Sequence, residues 1–357
     1  MPWDEGLVNS LIYDRPDPAE GRVVSYVRAI NEALALALEH DPSVFVLGQG
    51  VDDPSAMFGT TRGLKERFGA QRVFDTPLSE EAMMGVSTGA AMNGMRPVYM
   101  HNRPDFILLA FNQLITHASK IHFMDNGQTT VPLVVWAAIG RGWGSGAQHS
   151  QAIQGLLLGV PGIKIVMPST PHDAKGLLLS AILDNNPVCV FEHRWLMKKD
   201  GIVPEGFYRV PIGKAVCRRQ GRDITIVGAS HAIELASQAA VQLTHEGIDA
   251  EVIDLRTVQP LDEHAILESL RKTGRLLVVD TGWMKGGLCA EIGCLAAERG
   301  FADLKAPVGR VGLPDVPTPA GYTLEQFYYP DAARIAAAAA SLVRHGQTAD
   351  PVSARSR

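Results

Sequence analysis

The strongest constraint in this sequence is an alternation run twice along its length: short β-branched runs, each followed by residues whose apolar members fall at helical spacing. In the first series, a helical pattern over residues 28–40 leads into Val44-Phe45-Val46-Leu47-Gly48. Further strands are expected at 72–75, 96–100 and 131–136, with helices over 82–93 and 107–123. The second series places strands at 223–228, 250–254 and 276–280 around a helix at 231–245. Strands that alternate with helices bury their apolar faces best as a largely parallel sheet covered on both sides. The predicted fold class is therefore α/β, built as two three-layer α/β domains.

At 357 residues the chain exceeds a single domain of roughly 100–200 residues. The expected division is an N-terminal extension at 1–20, a first domain at 21–195, a linker at 196–211, a second domain at 212–346 and a tail at 347–357. The linker expectation rests on Lys198-Lys199-Asp200-Gly201 and Pro204-Glu205-Gly206, which break any regular period. The tail is small, polar and proline-containing.

With 46% hydrophobic and 20% charged residues the composition is that of a folded protein, and a net charge of −5 offers no basic footprint for nucleic acid or an anionic membrane. The four cysteines are too few and scattered for a disulfide framework and form no paired metal knuckle, so buried reduced thiols are expected. The N-terminus lacks a basic and apolar leader, and no apolar run approaches the roughly 20 residues that span a bilayer. A cytoplasmic location is the expectation.

Two segments carry candidate chemistry. Asp75-Thr76-Pro77-Leu78-Ser79-Glu80-Glu81 is a strand end running into a helix rich in Gly, Ala and Met. Glu80 there is open to two readings: a first-turn partner of the helix dipole with Ser79 as cap, or a functional carboxyl in an apolar setting. The second segment, from Gly140 to Gln151, sets four glycines just before His149, which is expected to open a new helix. So many glycines require unusual backbone angles or close ligand approach. His149 is either a loop histidine or part of a site.

Taken in order, these segments resemble the β subunit of pyruvate and branched-chain 2-oxoacid dehydrogenase E1 components, transketolase-like thiamine-diphosphate enzymes. The matching phrases include Asp75-Thr76-Pro77-Leu78-Ser79-Glu80, Gly146-Ala147-Gln148-His149-Ser150-Gln151, Pro168-Ser169-Thr170-Pro171 and Val252-Ile253-Asp254-Leu255-Arg256-Thr257. The resemblance runs from about Val44 to the end of the second domain. It implies a thiamine-pyrimidine-binding domain followed by a transketolase C-terminal-like domain.

By this resemblance Glu80 would hydrogen-bond N1′ of the aminopyrimidine, Phe106 would stack on that ring, and Leu78 would line it. His149 would face the reacting carbon as a proton donor or bind a substrate oxygen. Leu133, Ala181, Ile182, Asp184 and Asn186 match a region that holds a potassium ion in many family members. The Gly-Asp-Gly signature that anchors Mg²⁺, with its following Asn, is absent from the sequence. An α subunit would supply it, in an α2β2 heterotetramer, and a lipoyl-bearing E2 core would take the acyl group.

The sequence departs from the family at its site. Gln49 stands where a glutamate is usual near the cofactor. His101 and Arg103 replace a more apolar stretch before Phe106, and Arg141 and Trp143 enter the glycine-rich loop. These are candidate substrate residues, since cationic and hydrogen-bonding groups suit a phosphate or carboxylate; alternatively Arg103 and Asp105 pair with each other or with the α subunit. The first functional reading is a dehydrogenase E1 β subunit acting on a 2-oxo acid with transfer to lipoamide. The alternatives are a two-component transketolase-like ketol transferase and a non-catalytic scaffold. Glu80, Phe106 and His149 at matched places argue against the scaffold.

Overall fold

The computed structural model describes residues 21–53, 55–140 and 144–345. Its contacts divide the chain into two compact units, residues 1–140 with 159–212, and residues 141–158 with 213–357. Each unit is an α/β layer structure, as the alternation predicts.

The first unit holds β1 (Gly21–Ser25), α1 (Tyr26–His40), β2 (Val44–Gly48), α2 (Leu64–Phe68), β3 (Val73–Phe74), α3 (Glu80–Met92), β4 (Arg96–His101), α4 (Ile121–Met124) and β5 (Val134–Ile139). After the excursion that carries α5 (Gln154–Leu157), it continues with β6 (Lys164–Val166), α6 (Pro171–Leu183), β7 (Val188–His193) and β8 (Asp200–Pro204). Its parallel strands run in the order β6-β7-β5-β4-β2-β3. Strands β2, β4, β5 and β7 are buried along their whole length, as both-face coverage requires. On one face the small residues Ala29, Ala33 and Ala37 of α1 and Ala174 and Ala181 of α6 share a core with Val134, Trp136 and Val190.

The chain path positions the site. From β2 the chain steps outward to β3, and α3 then returns it to β4 on the other side of β2. The direction of winding thus reverses between β2 and β4, and such a switch point leaves a crevice at the carboxyl ends of the strands. Gly48 closes β2 with φ +147°, and a Cβ there would sit 2.2 Å from the Met100 carbonyl oxygen. Only glycine lets the ends of β2 and β4 approach so closely.

The second unit holds β9 (Val216–Arg219), β10 (Ile224–Gly228), α7 (His231–His245), β11 (Ala250–Asp254), β12 (Thr257–Gln259), α8 (Glu263–Thr273), β13 (Leu276–Trp283), α9 (Leu288–Arg299), β14 (Gly309–Leu313), α10 (Tyr322–Tyr328) and α11 (Ala332–His345). Its sheet order is β14-β13-β10-β11-β9, with β9 the antiparallel edge. The core lies where α7 and α11 cover Ile224, Ile226, Val252, Leu277 and Val279.

Four local expectations change. Residues 196–211 do not behave as a bare linker: β8 pairs antiparallel with β1, and Val203, Phe207, Tyr208 and Val210 enter the first core. The turn residues that break periodicity are interleaved with apolar ones that have a core to join. The helix expected over 107–123 becomes a 3-10 segment at Pro104–Ala110, a π segment at Asn112–Ala118 and α4. The wider π turn, closed by Ser119 N–H to Leu114 O at 3.1 Å, keeps Leu114 and Ala118 buried. No helix opens at His149; the next helical turn starts at Gln154, because Gly144 and Gly146 hold left-handed φ values. Of the cysteines, Cys189 and Cys289 are buried, Cys217 is intermediate and Cys294 is exposed, and none of them is in a disulfide. No helix among the described residues is long and apolar enough to cross a membrane.

Candidate active site

At the switch point, Gln49, Glu80, Tyr99, Met100, His101, Asn102, Arg103 and Phe106 line one cleft. The structure thus brings together five of the residues singled out in the sequence: Gln49, Glu80, His101, Arg103 and Phe106. Each arrives on a different piece of the same topology. Gln49 follows β2, Glu80 starts α3, His101 ends β4, and Phe106 sits in the 3-10 segment behind it. Ser79 occupies the N-cap position of α3 but makes no side-chain cap bond, so the dipole-and-cap reading loses its cap. Asp75 takes a different task, accepting the Gly50 N–H at 2.6 Å and tying the β2 turn to the end of β3.

The electrostatics of the cleft are mixed. His101 is 4% exposed, and burial depresses its imidazole to about 3, so the ring is neutral at neutral pH. Its Nε2 has no hydrogen-bond partner among the described residues. Its ring packs on Tyr99 at 4.2 Å between centroids. Burial, helped by the Glu80 carboxylate, pushes the Tyr99 hydroxyl above its ordinary value. Burial lowers the Arg103 guanidinium, and Asp105 offsets part of that shift, which links the pair electrostatically.

This donor set suits an aminopyrimidine: a carboxyl at a helix start, an aromatic face, and a neutral imidazole with a buried, unpartnered nitrogen. Leu78, expected to line the ring, is 81% exposed and does not line the cleft. Arg141 and Trp143 lie outside the described residues, as do residues 1–20 and the tail at 347–357. His149 is exposed, and its N–H bonds to Gly146 O at 3.5 Å. Its segment clusters with the second unit.

The set matched to potassium is engaged with protein groups. Arg96 donates to Ile182 O at 2.8 Å and Asp184 O at 3.1 Å. Lys164 bonds the Asp184 carboxylate, whose Oδ1 also accepts from Asn186 N at 2.9 Å. Leu133 O accepts the Val188 N–H at 2.9 Å, and Ala181 O accepts the Asp184 N–H at 3.3 Å. Two side-chain cations therefore already balance this turn.

Residues 22–199 match the family model described as transketolase, pyrimidine binding domain, and residues 213–335 match transketolase, C-terminal domain. The 2-oxoisovalerate dehydrogenase subunit beta of Bacillus subtilis (strain 168) is 43% identical over 318 residues, 88% of this chain and 97% of that one. The chain belongs to the E1 β family of thiamine-diphosphate enzymes. The acetoin:2,6-dichlorophenolindophenol oxidoreductase subunit beta of Cupriavidus necator is 41% identical, over 91% of this E1 β chain and 99% of its own. The pyruvate dehydrogenase E1 component subunit beta-1 of Arabidopsis thaliana, a mitochondrial protein, is 38% identical over 90% of each chain. A split gene transketolase, titled an inactive β4 tetramer, shares the fold at TM-score 0.72 and 23% identity, covering 90% of this chain and 98% of that one. The three sequence relatives are all named as beta subunits.

Sequence reasoning missed two buried groups. Tyr99, 2% exposed, packs against the His101 ring and feels the Glu80 charge, and its signal in the sequence was its place in a strand. Glu192, at the end of β7, is fully buried, and burial raises its carboxyl to about 8, the Trp136 indole offsetting part of the shift.

Proposed function

We propose that this E1 β subunit, with an α partner, decarboxylates a 2-oxo acid and passes the acyl unit to a lipoyl-bearing E2. The observation that carries the reading is the cleft in which Gln49, Glu80, His101 and Phe106 converge at the sheet's switch point. Thiamine diphosphate supplies a carbon nucleophile when bound, its Mg²⁺ held by the α subunit. Glu80 holds a proton at the aminopyrimidine nitrogen N1′, and Phe106 offers the ring an apolar face. His149 donates a proton at the substrate. Gln49, unlike a glutamate, cannot ionise, so it contributes hydrogen bonds but no proton storage. The assembly is an α2β2 heterotetramer in the cytoplasm.

A second reading, ketol transfer on a hydroxylated or phosphorylated substrate, is favoured by the buried, unpartnered Nε2 of His101 and the nearby Arg103, which line the same cleft. Both are groups for a polar ligand rather than an alkyl chain. The test is the protein co-purified with its α partner and supplied with Mg²⁺ and thiamine diphosphate. Reduction of an artificial electron acceptor with a 2-oxo acid supports the dehydrogenase. Transfer between ketose phosphates and aldoses, without such reduction, supports the alternative. A potassium ion at the Asp184 turn would join Lys164 and Arg96; equal melting midpoints in KCl and NaCl would rule it out.

A further inference from the structure

The segment that carries His149 is fastened to the second unit at three places. At Gly146 a Cβ would stand 3.3 Å from the Ala320 Cβ, and at Gly155 a Cβ would stand 3.1 Å from the Gly287 Cα. Between these close approaches lies a polar bond. Gln154, 0% exposed, donates from Nε2 to Asp280 Oδ1 at 3.0 Å, and Asp280 is 3% exposed near the carboxyl end of β13. Burial raises the Asp280 carboxyl, and the Gly282 and Thr281 backbone and the Gln154 amide offset part of that shift.

The site is built around this pair. A Cβ at residue 282 would sit 2.6 Å from Gln154 Nε2 and 3.0 Å from Asp280 Oδ2, so glycine there leaves the room that the amide occupies. The small-residue contacts on either side permit sliding, because van der Waals contact between backbones has little directionality. A buried amide-to-carboxylate bond has direction, and losing it leaves a carboxyl group without its donor in an apolar setting.

We propose that Gln154 and Asp280 are positioning residues that lock the His149 segment onto the end of β13. The proposal rests on the reading of His149 as a proton donor, and both residues act through His149 rather than on the substrate. Gln154→Glu and Asp280→Asn are isosteric and disrupt the bond singly, opposing two carboxyl groups or turning an amide N–H₂ toward donors. Together they restore it with donor and acceptor exchanged.

Two readouts on the protein with its α partner test this. The first is hydrogen exchange of the backbone amides at 146–153. Exchange is expected to rise about tenfold in Gln154→Glu and to return to the wild-type rate in the Gln154→Glu/Asp280→Asn double variant. The second is turnover: Gln154→Glu is expected to lower kcat about tenfold at unchanged KM, with no further loss when His149→Ala is already present. Unchanged exchange in both single variants overturns the lock, and additive losses of kcat overturn positioning through His149. Wild-type turnover in His149→Ala overturns the role of His149, and with it the positioning claim. Loss of turnover in His149→Ala alongside unchanged exchange in both single variants overturns the lock alone.

Discussion

At the scale of single residues, Glu80 and His101 are neighbours in the cleft with different expected effects. Glu80→Gln keeps the shape but cannot exchange a proton, so turnover is expected to fall by about 10²–10⁴-fold, the range for a lost acid–base group. Near-normal kcat in the reconstituted enzyme would remove Glu80 from the reaction. His101→Leu removes the buried, unpartnered Nε2 while keeping an apolar fill, so kcat/KM for a hydroxylated substrate should fall while that for an alkyl 2-oxo acid is maintained. Equal changes with both would show that His101 does not sort substrates. Glu192 gives a stability prediction. Its folded-state carboxyl titrates near 8 against an ordinary value of 4.5, so the folded state binds more protons between those values. Its contribution is therefore fully present below 4.5 and is lost as pH rises through 8, at about 1.4 kcal/mol per unit within the window. Glu192→Gln should flatten the decline in urea midpoint between pH 5.5 and 8; an unchanged slope would assign that decline to other groups.

At the scale of elements, the approach of β2 and β4 matters most. A Cβ at Gly48 would overlap the Met100 carbonyl, so Gly48→Ala must push the two strand ends apart. The expected cost is on the order of 2–4 kcal/mol, read as a lowered urea midpoint, with weaker coenzyme binding because Gln49 and His101 separate. The packing of α1 on α6 is similarly unforgiving, since Ala33 is 0% exposed in a core with Ala174 and Leu177. Ala33→Leu should cost about 1–3 kcal/mol from overpacking while leaving the cleft chemistry intact. A variant as stable as the wild type would show that the helices separate easily.

At the scale of the whole molecule, the chain holds the pyrimidine half of the coenzyme chemistry and no Gly-Asp-Gly signature for Mg²⁺. Titration of the isolated β chain with thiamine diphosphate and Mg²⁺ is expected to give no saturable binding, whereas adding the α partner should create it. Saturable Mg²⁺-dependent binding by β alone would overturn the division of labour between subunits. Phe123 and Val86 are 89% and 57% exposed in this chain by itself.

The fold class was legible from sequence because parallel strands covered on both faces must be continuous apolar runs, and Val44–Gly48 and Val134–Ile139 are such runs. The cleft residues were legible only through family resemblance, since Glu80, Phe106 and Gln49 lie far apart in the chain and no spacing rule joins them. The tertiary structure decided the rest. Strand order alone puts the end of β2 beside the end of β4, which turns Gln49 and His101 into neighbours. Burial, which no local pattern encodes, keeps His101 neutral and raises Glu192. Contact between residues 126 positions apart made Gln154 and Asp280 a pair, because a buried amide and carboxylate satisfy each other only where the fold brings them together.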